Sequence, residues 1–259
     1  MNFCLKRVFV PWIAFSLLSV TLSAAIAAEA TPKYGPKATP LVNDHQYFRG
    51  AVAGDFWRLM PFYVPQSNDY ACSAASIAIV FNAAIKGRAR IAETERNITQ
   101  DTLLKSIRNV PLRELVSKEG FQGRHGITLD ELRIAVEETA RSQNVRAQVA
   151  AHRFQTRSLK EFREILRANE ENPSDFLLVH FVQDDLTGAG GGPYAHVSPI
   201  GAYDSTTHRA LILDVDREWY SPYWVSDADL LAACNHVTKI WGAGGLIHIR
   251  FDSIGEPPR

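Results

Sequence analysis

Apolar residues are spaced for helices in the first half of the chain and gathered into short extended runs in the second. Residues 71–85 form an alanine-rich apolar run behind the polar lead Gln66-Ser67-Asn68-Asp69. The run is long for a strand and rich in helix formers, so it predicts a buried helix with Cys72 on its first turn. Between Thr99 and Gly120, Leu103, Leu104, Ile107, Val110, Leu112, Leu115 and Val116 recur at helical spacing, and Ile127 to Arg141 repeats the pattern. Each predicts an amphipathic helix. A third spans Ser158 to Asn169, with Ser158 and Glu161 spaced as a capping box.

After Pro173 the pattern changes. Phe176 to Val182 is a short apolar run bounded by turn residues, as a buried strand requires. His196 to Tyr203, Ala210 to Val215 and Gly245 to Phe251 also read as extended, separated by loops rich in Gly, Asp and Ser. Helices followed by an antiparallel sheet give an α+β fold class.

The first 30 residues form a separate unit. Lys6 and Arg7 precede an apolar run from Val8 to about Ala28, and Ala25-Ile26-Ala27 has the small-x-small form of a cleavage site. This reads as a secretory signal over residues 1–28, with export to the periplasm; an uncleaved membrane anchor is the alternative. Residues 29–40 read as a flexible lead-in and 41–259 as one catalytic domain. Membrane contact is expected only through the signal segment. Lys plus Arg equals Asp plus Glu at 28 each, so the overall charge gives no reason to expect a nucleic-acid partner. The oligomeric state, a homodimer included, is left open.

Cys4 would leave with the signal, so two cysteines remain, Cys72 and Cys234. A disulfide between them is one reading and would silence Cys72. The position of Cys72 argues for chemistry instead, because the positive end of a helix dipole favours a thiolate. A thiolate nucleophile needs a histidine base, and the histidine needs a group that fixes its tautomer. Of eight histidines, His196 opens an apolar strand directly after the glycine-rich loop 188–192. Asp214 ends the next strand, and antiparallel neighbours bring such residues together. Each residue also has an ordinary reading: an inert core cysteine, a hydrogen-bonded strand histidine, a turn-forming aspartate. The remaining histidines are scattered and there is no CxxC, so no metal site is expected.

Three segments share a resemblance. Gln66-Ser67-Asn68-Asp69-Tyr70-Ala71-Cys72, with Ser76 and Asn82 beyond it, resembles the phytochelatin synthase motif, in which a Gln lies six residues before the nucleophile. His196-Val197-Ser198-Pro199-Ile200-Gly201-Ala202-Tyr203 is similar to that family's His-Phe-Ser-Pro-Ile-Gly-Gly-Tyr. Leu211 to Val215, with Arg217, Tyr220, Pro222, Trp224 and Val225, is similar to its Leu-Ile-Leu-Asp-Val-Ala-Arg-Phe-Lys-Tyr-Pro-Pro-His-Trp-Val. The chain departs at Ser73, where the family has Gly, and at Asp216, where it has Ala.

The resemblance implies a papain-like cysteine peptidase fold, with Cys72 as nucleophile, His196 as base and then acid, Asp214 as orienting carboxylate and Gln66 as oxyanion-hole donor. It implies Arg217 and Tyr220 as contacts for a γ-glutamyl group, with Ser73 and Ser198 also lining the substrate site. The substrate implied is glutathione and related γ-glutamyl thiol peptides, cut at the Cys-Gly bond. No cofactor is required by the protein; cadmium or zinc enters as the glutathione thiolate. Hydrolysis is expected to outweigh phytochelatin synthesis, because no Cys-rich segment follows Phe251. Two alternatives are a papain-like processing peptidase for a small exported peptide and a non-catalytic glutathione-binding protein.

Overall fold

A computed structural model describes residues 33–86, 96–155 and 158–252. The expected signal segment lies outside them. Among the described residues, no helix is long and apolar enough to cross a membrane.

In chain order the elements are β1 (Ala38–Pro40), α1 (Gly54–Leu59), α2 (Cys72–Lys86), α3 (Gln100–Ser106), α4 (Leu112–Leu115), α5 (Leu129–Ser142) and β2 (Ala147–His152). They continue with α6 (Leu159–Glu171), β3 (Asp175–Val182), α7 (Asp184–Thr187), β4 (Ala195–Asp204), β5 (Arg209–Ile212), β6 (Tyr223–Ser226), α8 (Asp227–Asn235) and β7 (Gly245–Phe251). The described strands form one antiparallel sheet of order β1-β6-β5-β4-β3-β7-β2. Mixed helix and antiparallel sheet is the α+β class that the sequence predicts.

The sheet is covered on both faces, and strand periodicity shows how. On β3, Phe176 and Leu178 join the core that contains α2 and α5, while Leu177, Val179 and Phe181 join the one that contains α6 and α8. A strand buried on both faces must be a continuous apolar run, as 176–182 is. Helix α2 is buried from Cys72 to Ala84, which explains its apolar residues all round. Ser76 Oγ donates to the Val197 carbonyl at 2.9 Å and pins α2 to β4. Asn82 holds the return of the chain through both polar atoms of its amide, to Ile98 O at 2.9 Å and from Ile98 N at 2.8 Å.

Three expectations change. The segment 99–120 is two short helices, because the backbone N–H groups of Arg108 and Asn109 turn to the Glu138 carboxylate and Pro111 has no N–H to offer. The flexible lead-in drawn through Pro40 instead supplies edge strand β1, paired to β6. Before it, the Tyr34 hydroxyl accepts from Ser221 N at 2.8 Å. Strands β2 and β6 are not predicted by the pattern. β2 is an alanine-rich edge that is only half-buried, and β6 hides behind the turn-like Ser-Pro dipeptide.

His180 on β3 is buried, and its Nε2 lies 2.8 Å from the Ile127 carbonyl just before α5. Burial pushes the imidazole down to about 4. Above the unfolded value of about 6.5 the group is neutral in both states and adds no pH dependence. Below it the unfolded chain takes up a proton that the fold refuses, so stability falls toward pH 4 by about 3 kcal/mol from this group. Urea unfolding of wild type and His180→Gln at pH 7 and pH 4 tests this: the variant should lose correspondingly less over that interval. Equal losses would show that His180 is not the group responsible.

Candidate active site

The polar lead before α2 builds the helix start. Asn68 Oδ1 accepts from Tyr70 N at 2.9 Å and its carbonyl accepts from Ala71 N at 3.1 Å, so the chain turns into the helix at Cys72. Cys72 is buried on the first turn of a 15-residue helix, where the unsatisfied N–H groups and the dipole favour a sulfur anion.

His196 is the second residue of β4, opposite Phe181 on β3, whose ring it meets edge-on with centroids 5.7 Å apart. Asp214 comes just after β5. Leu213 and Val215 face the α2 core, which turns Asp214 to the side of Ile212. The approach is close because position 201 is glycine: a Cβ there would lie 2.8 Å from Leu213 Cγ. His196 Nε2 is 2.9 Å from Asp214 Oδ1, which leaves Nδ1 as the ring nitrogen for the Cys72 sulfur.

The Asp214 carboxylate has no exposed surface and accepts four hydrogen bonds. Oδ1 takes His196 Nε2 and the Asp216 backbone N–H, both at 2.9 Å. Oδ2 takes Gln183 Nε2 at 2.8 Å and the Tyr223 hydroxyl at 2.9 Å. Burial acts to raise this carboxyl, but the His196 charge and these donors hold it below its ordinary value. Burial likewise acts to lower His196, and the Asp214 carboxylate and the Cys72 sulfur override it, holding the imidazole well above its ordinary value. The direction is that of an imidazolium beside a buried carboxylate.

Gln66 is joined to the Asp214 segment through its backbone, its N–H donating to Val215 O at 2.8 Å. Its side-chain amide makes no hydrogen bond among the described residues, and its Oε1 is buried and unpartnered. The amide is therefore uncommitted among the described residues. Arg217 is exposed, its guanidinium 4.8 Å from the centroid of the Tyr63 ring, and the Tyr63 hydroxyl donates to the Asp214 carbonyl.

The other expected substrate contacts sit differently. Tyr220 is buried against Tyr34 and Tyr223, and its hydroxyl donates to Thr187 Oγ1 at 3.2 Å, so it is core rather than an open recognition group. Ser198 is fully buried inside β4 and Ser73 is buried beside Cys72, each with an unpartnered hydroxyl oxygen. Cys72 and Cys234 are both free thiols, in separate core clusters, and burial pushes the Cys234 thiol up. Among the described residues no group of three or more His, Cys, Asp or Glu side chains is placed to hold a metal.

Sequence reasoning misses Gln183 and Tyr223. Gln183 carries one available signal, a polar residue just past a largely apolar strand. Tyr223 lies inside a matched segment but among other aromatics. Each donates to a buried charge, a bond worth about 1.5–3 kcal/mol. Gln183→Leu and Tyr223→Phe should each lose about that much stability at pH 7. The depressed carboxyl of Asp214 contributes stability that is present above its unfolded value and lost as pH falls through the folded one. The deficit of each variant should therefore shrink only as pH is lowered below the ordinary carboxylate value of 3.8 and the carboxyl takes up a proton. A deficit independent of pH in urea unfolding would assign these residues to packing alone.

Comparison with known proteins gives relatives of one kind. A family model described as phytochelatin synthase matches residues 43–243. Glutathione gamma-glutamylcysteinyltransferase 3 of Lotus japonicus is 27% identical over 194 residues, 75% of this chain and 36% of that protein. Glutathione gamma-glutamylcysteinyltransferase 1 of Arabidopsis thaliana is 28% identical over 179 residues, 68% and 33% of the two chains. The Triticum aestivum enzyme of the same name is 25% identical over 194 residues, 75% and 35%. The chain thus spans about a third of the length of the curated relatives it matches.

Proposed function

This chain belongs to the phytochelatin synthase family, and from that premise we propose that it is a papain-like cysteine peptidase and γ-glutamylcysteinyl transferase that releases glycine from glutathione. The observation that carries the proposal is the buried His196–Asp214 pair, its imidazole held charged by Asp214 and by Cys72 at the start of α2.

In the proposed reaction the Cys72 thiolate attacks the carbonyl carbon of the Cys-Gly amide and the electron pair moves to oxygen. The Gln66 amide and the Cys72 backbone N–H receive that oxyanion. One such donor is commonly worth about 3 kcal/mol, or 10²–10³ in kcat. The imidazolium of His196 gives its proton to the glycine nitrogen, the C–N bond breaks, and γ-glutamylcysteine remains as a thioester. His196, now neutral, takes a proton from water as it attacks, and γ-glutamylcysteine leaves with the thiolate restored. If the amino group of a second glutathione attacks instead, the product is a phytochelatin. Hydrolysis is proposed as the main route, and a cadmium or zinc thiolate of glutathione as an acceptor for the second.

Export is part of the same reading: residues 1–28 are proposed as a signal removed on secretion, placing residues 41–259 in the periplasm as the catalytic domain. Mass spectrometry of protein recovered from the periplasm should find a chain starting near Glu29; a chain that keeps Met1 would overturn export by cleavage.

Incubation with glutathione, with and without cadmium, and analysis of products by mass spectrometry test the chemistry. Glycine and γ-glutamylcysteine should appear with wild type and be absent with Cys72→Ala, and Gln66→Ala should lower kcat by about 10²-fold. Glutathione left intact by a protein with a reduced Cys72 would overturn the substrate.

A further inference from the structure

A cleft of about 450 Å³ opens between α6 and the turn that joins β4 to β5. Its size falls within the ~300–1,000 Å³ span of small-molecule sites. Lys160, Arg163 and Arg167 line it from successive turns of α6, and Tyr203 and His208 line it from the two ends of the β4–β5 turn. Tyr203 is the ninth residue of β4 and His196 the second, which sets the cleft roughly 20 Å along the strand from the candidate active site.

Behind this lining lies a satisfied charge. Asp227, 1% exposed, takes Arg163 Nε at 2.7 Å and the Tyr203 hydroxyl at 2.8 Å on Oδ2, and Arg163 Nη2 at 2.9 Å on Oδ1. That grip fixes the plane of the Arg163 guanidinium and leaves its Nη1 unused among the described residues. Arg167 forms no hydrogen bond or ion pair among the described residues, and Lys160 meets Glu164 only at 3.9 Å, in an exposed pair that adds little. His208 holds φ at +55°, an uncommon angle for a residue with a Cβ. Its carbonyl accepts from Asp227 N at 2.9 Å, and its ring Nδ1 stands 3.4 Å from the Tyr203 hydroxyl and 3.7 Å from Asp227 Oδ2. A left-handed turn residue thus sets an imidazole against the same buried acid that orients Arg163.

Lys160, Arg163 and Arg167 stand against Glu164 and Asp227, an excess of one positive charge before His208 is counted. A planar carboxylate is met by one guanidinium fork. Cations from successive helix turns, with an imidazole across from them, instead suit an anion that presents acceptor oxygens in several directions, and Leu159 and the Tyr203 ring offer apolar surface beside it. We propose that this cleft binds the phosphate group of a small molecule, with Arg163, Arg167 and His208 as its contacts and the rest of the ligand against Leu159 and Tyr203. The inference does not rest on the proposed reaction, because the two sites share no residue.

Isothermal titration calorimetry with inorganic phosphate, glycerol 3-phosphate and acetate at equal ionic strength tests this on wild type, Arg167→Ala and His208→Asn. Asn accepts a positive φ and keeps the turn, and the thermal midpoint checks that each variant is folded. Phosphate should bind saturably and glycerol 3-phosphate more tightly, and each variant should lose about tenfold or more in affinity for both. Arg217→Ala should bind as wild type does, which separates the cleft from the exposed arginine at the candidate active site. Heats that do not saturate, acetate bound as tightly as phosphate, an ester bound more weakly than phosphate, affinity unchanged in either cleft variant, or binding lost with Arg217→Ala would each overturn the inference.

Discussion

A fully buried carboxylate costs several kcal/mol in lost hydration unless the fold supplies its partners, and Asp214 is the point where this fold does so. The partners come from separate places: His196 at the start of β4, Gln183 after β3, Tyr223 on β6 and the Asp216 backbone beyond β5. Tyr63, from before α2, binds the carbonyl of the same residue. The order of the sheet serves the same requirement. β6, β5, β4 and β3 are consecutive neighbours, so a residue just past β5 lies within reach of donors from both sides.

Charge at Asp214 sets the charge of the imidazole, and the imidazole sets what Cys72 can be. Burial alone would leave His196 neutral, and a neutral imidazole gives the sulfur no countercharge. With the carboxylate ionised, the ring next to the helix start is held as an imidazolium, the countercharge that a thiol nucleophile requires. Helix α2 contributes in a second way. It is pinned to β4 by Ser76 one turn beyond Cys72, which ties the start of α2 to the strand that carries His196.

Much of this is legible in the sequence, for physical reasons that differ by element. The helix at Cys72, the strand 176–182 and the capping box at Ser158 obey local rules of periodicity and hydrogen bonding, and they recur in the fold. Cys72, His196 and Asp214 stand out because each sits at the end of an apolar run, where a polar residue needs an explanation. The sequence does not reveal anything decided by distant contact. Glu138 breaks the helical pattern near Asn109 from about 30 residues away, and β1 becomes a strand only because β6 offers it an edge. Tyr220 has the look of a recognition residue from its place in the segment, whereas Tyr34, far off in the sequence, makes it part of the core.

The distribution of satisfied and unsatisfied groups divides the site into a frame and a mouth. On the frame both carboxylate oxygens of Asp214 are used, which fixes the imidazole against rotation. At Gln66 the pattern reverses: its backbone is anchored to Val215, but its buried Oε1 has no polar partner among the described residues. Native folds leave few buried polar groups unpaired, because each costs about 1–3 kcal/mol. An orphaned amide oxygen on the segment tied to Val215, next to Asp214, is therefore better explained by a bond made to a ligand than by chance in packing.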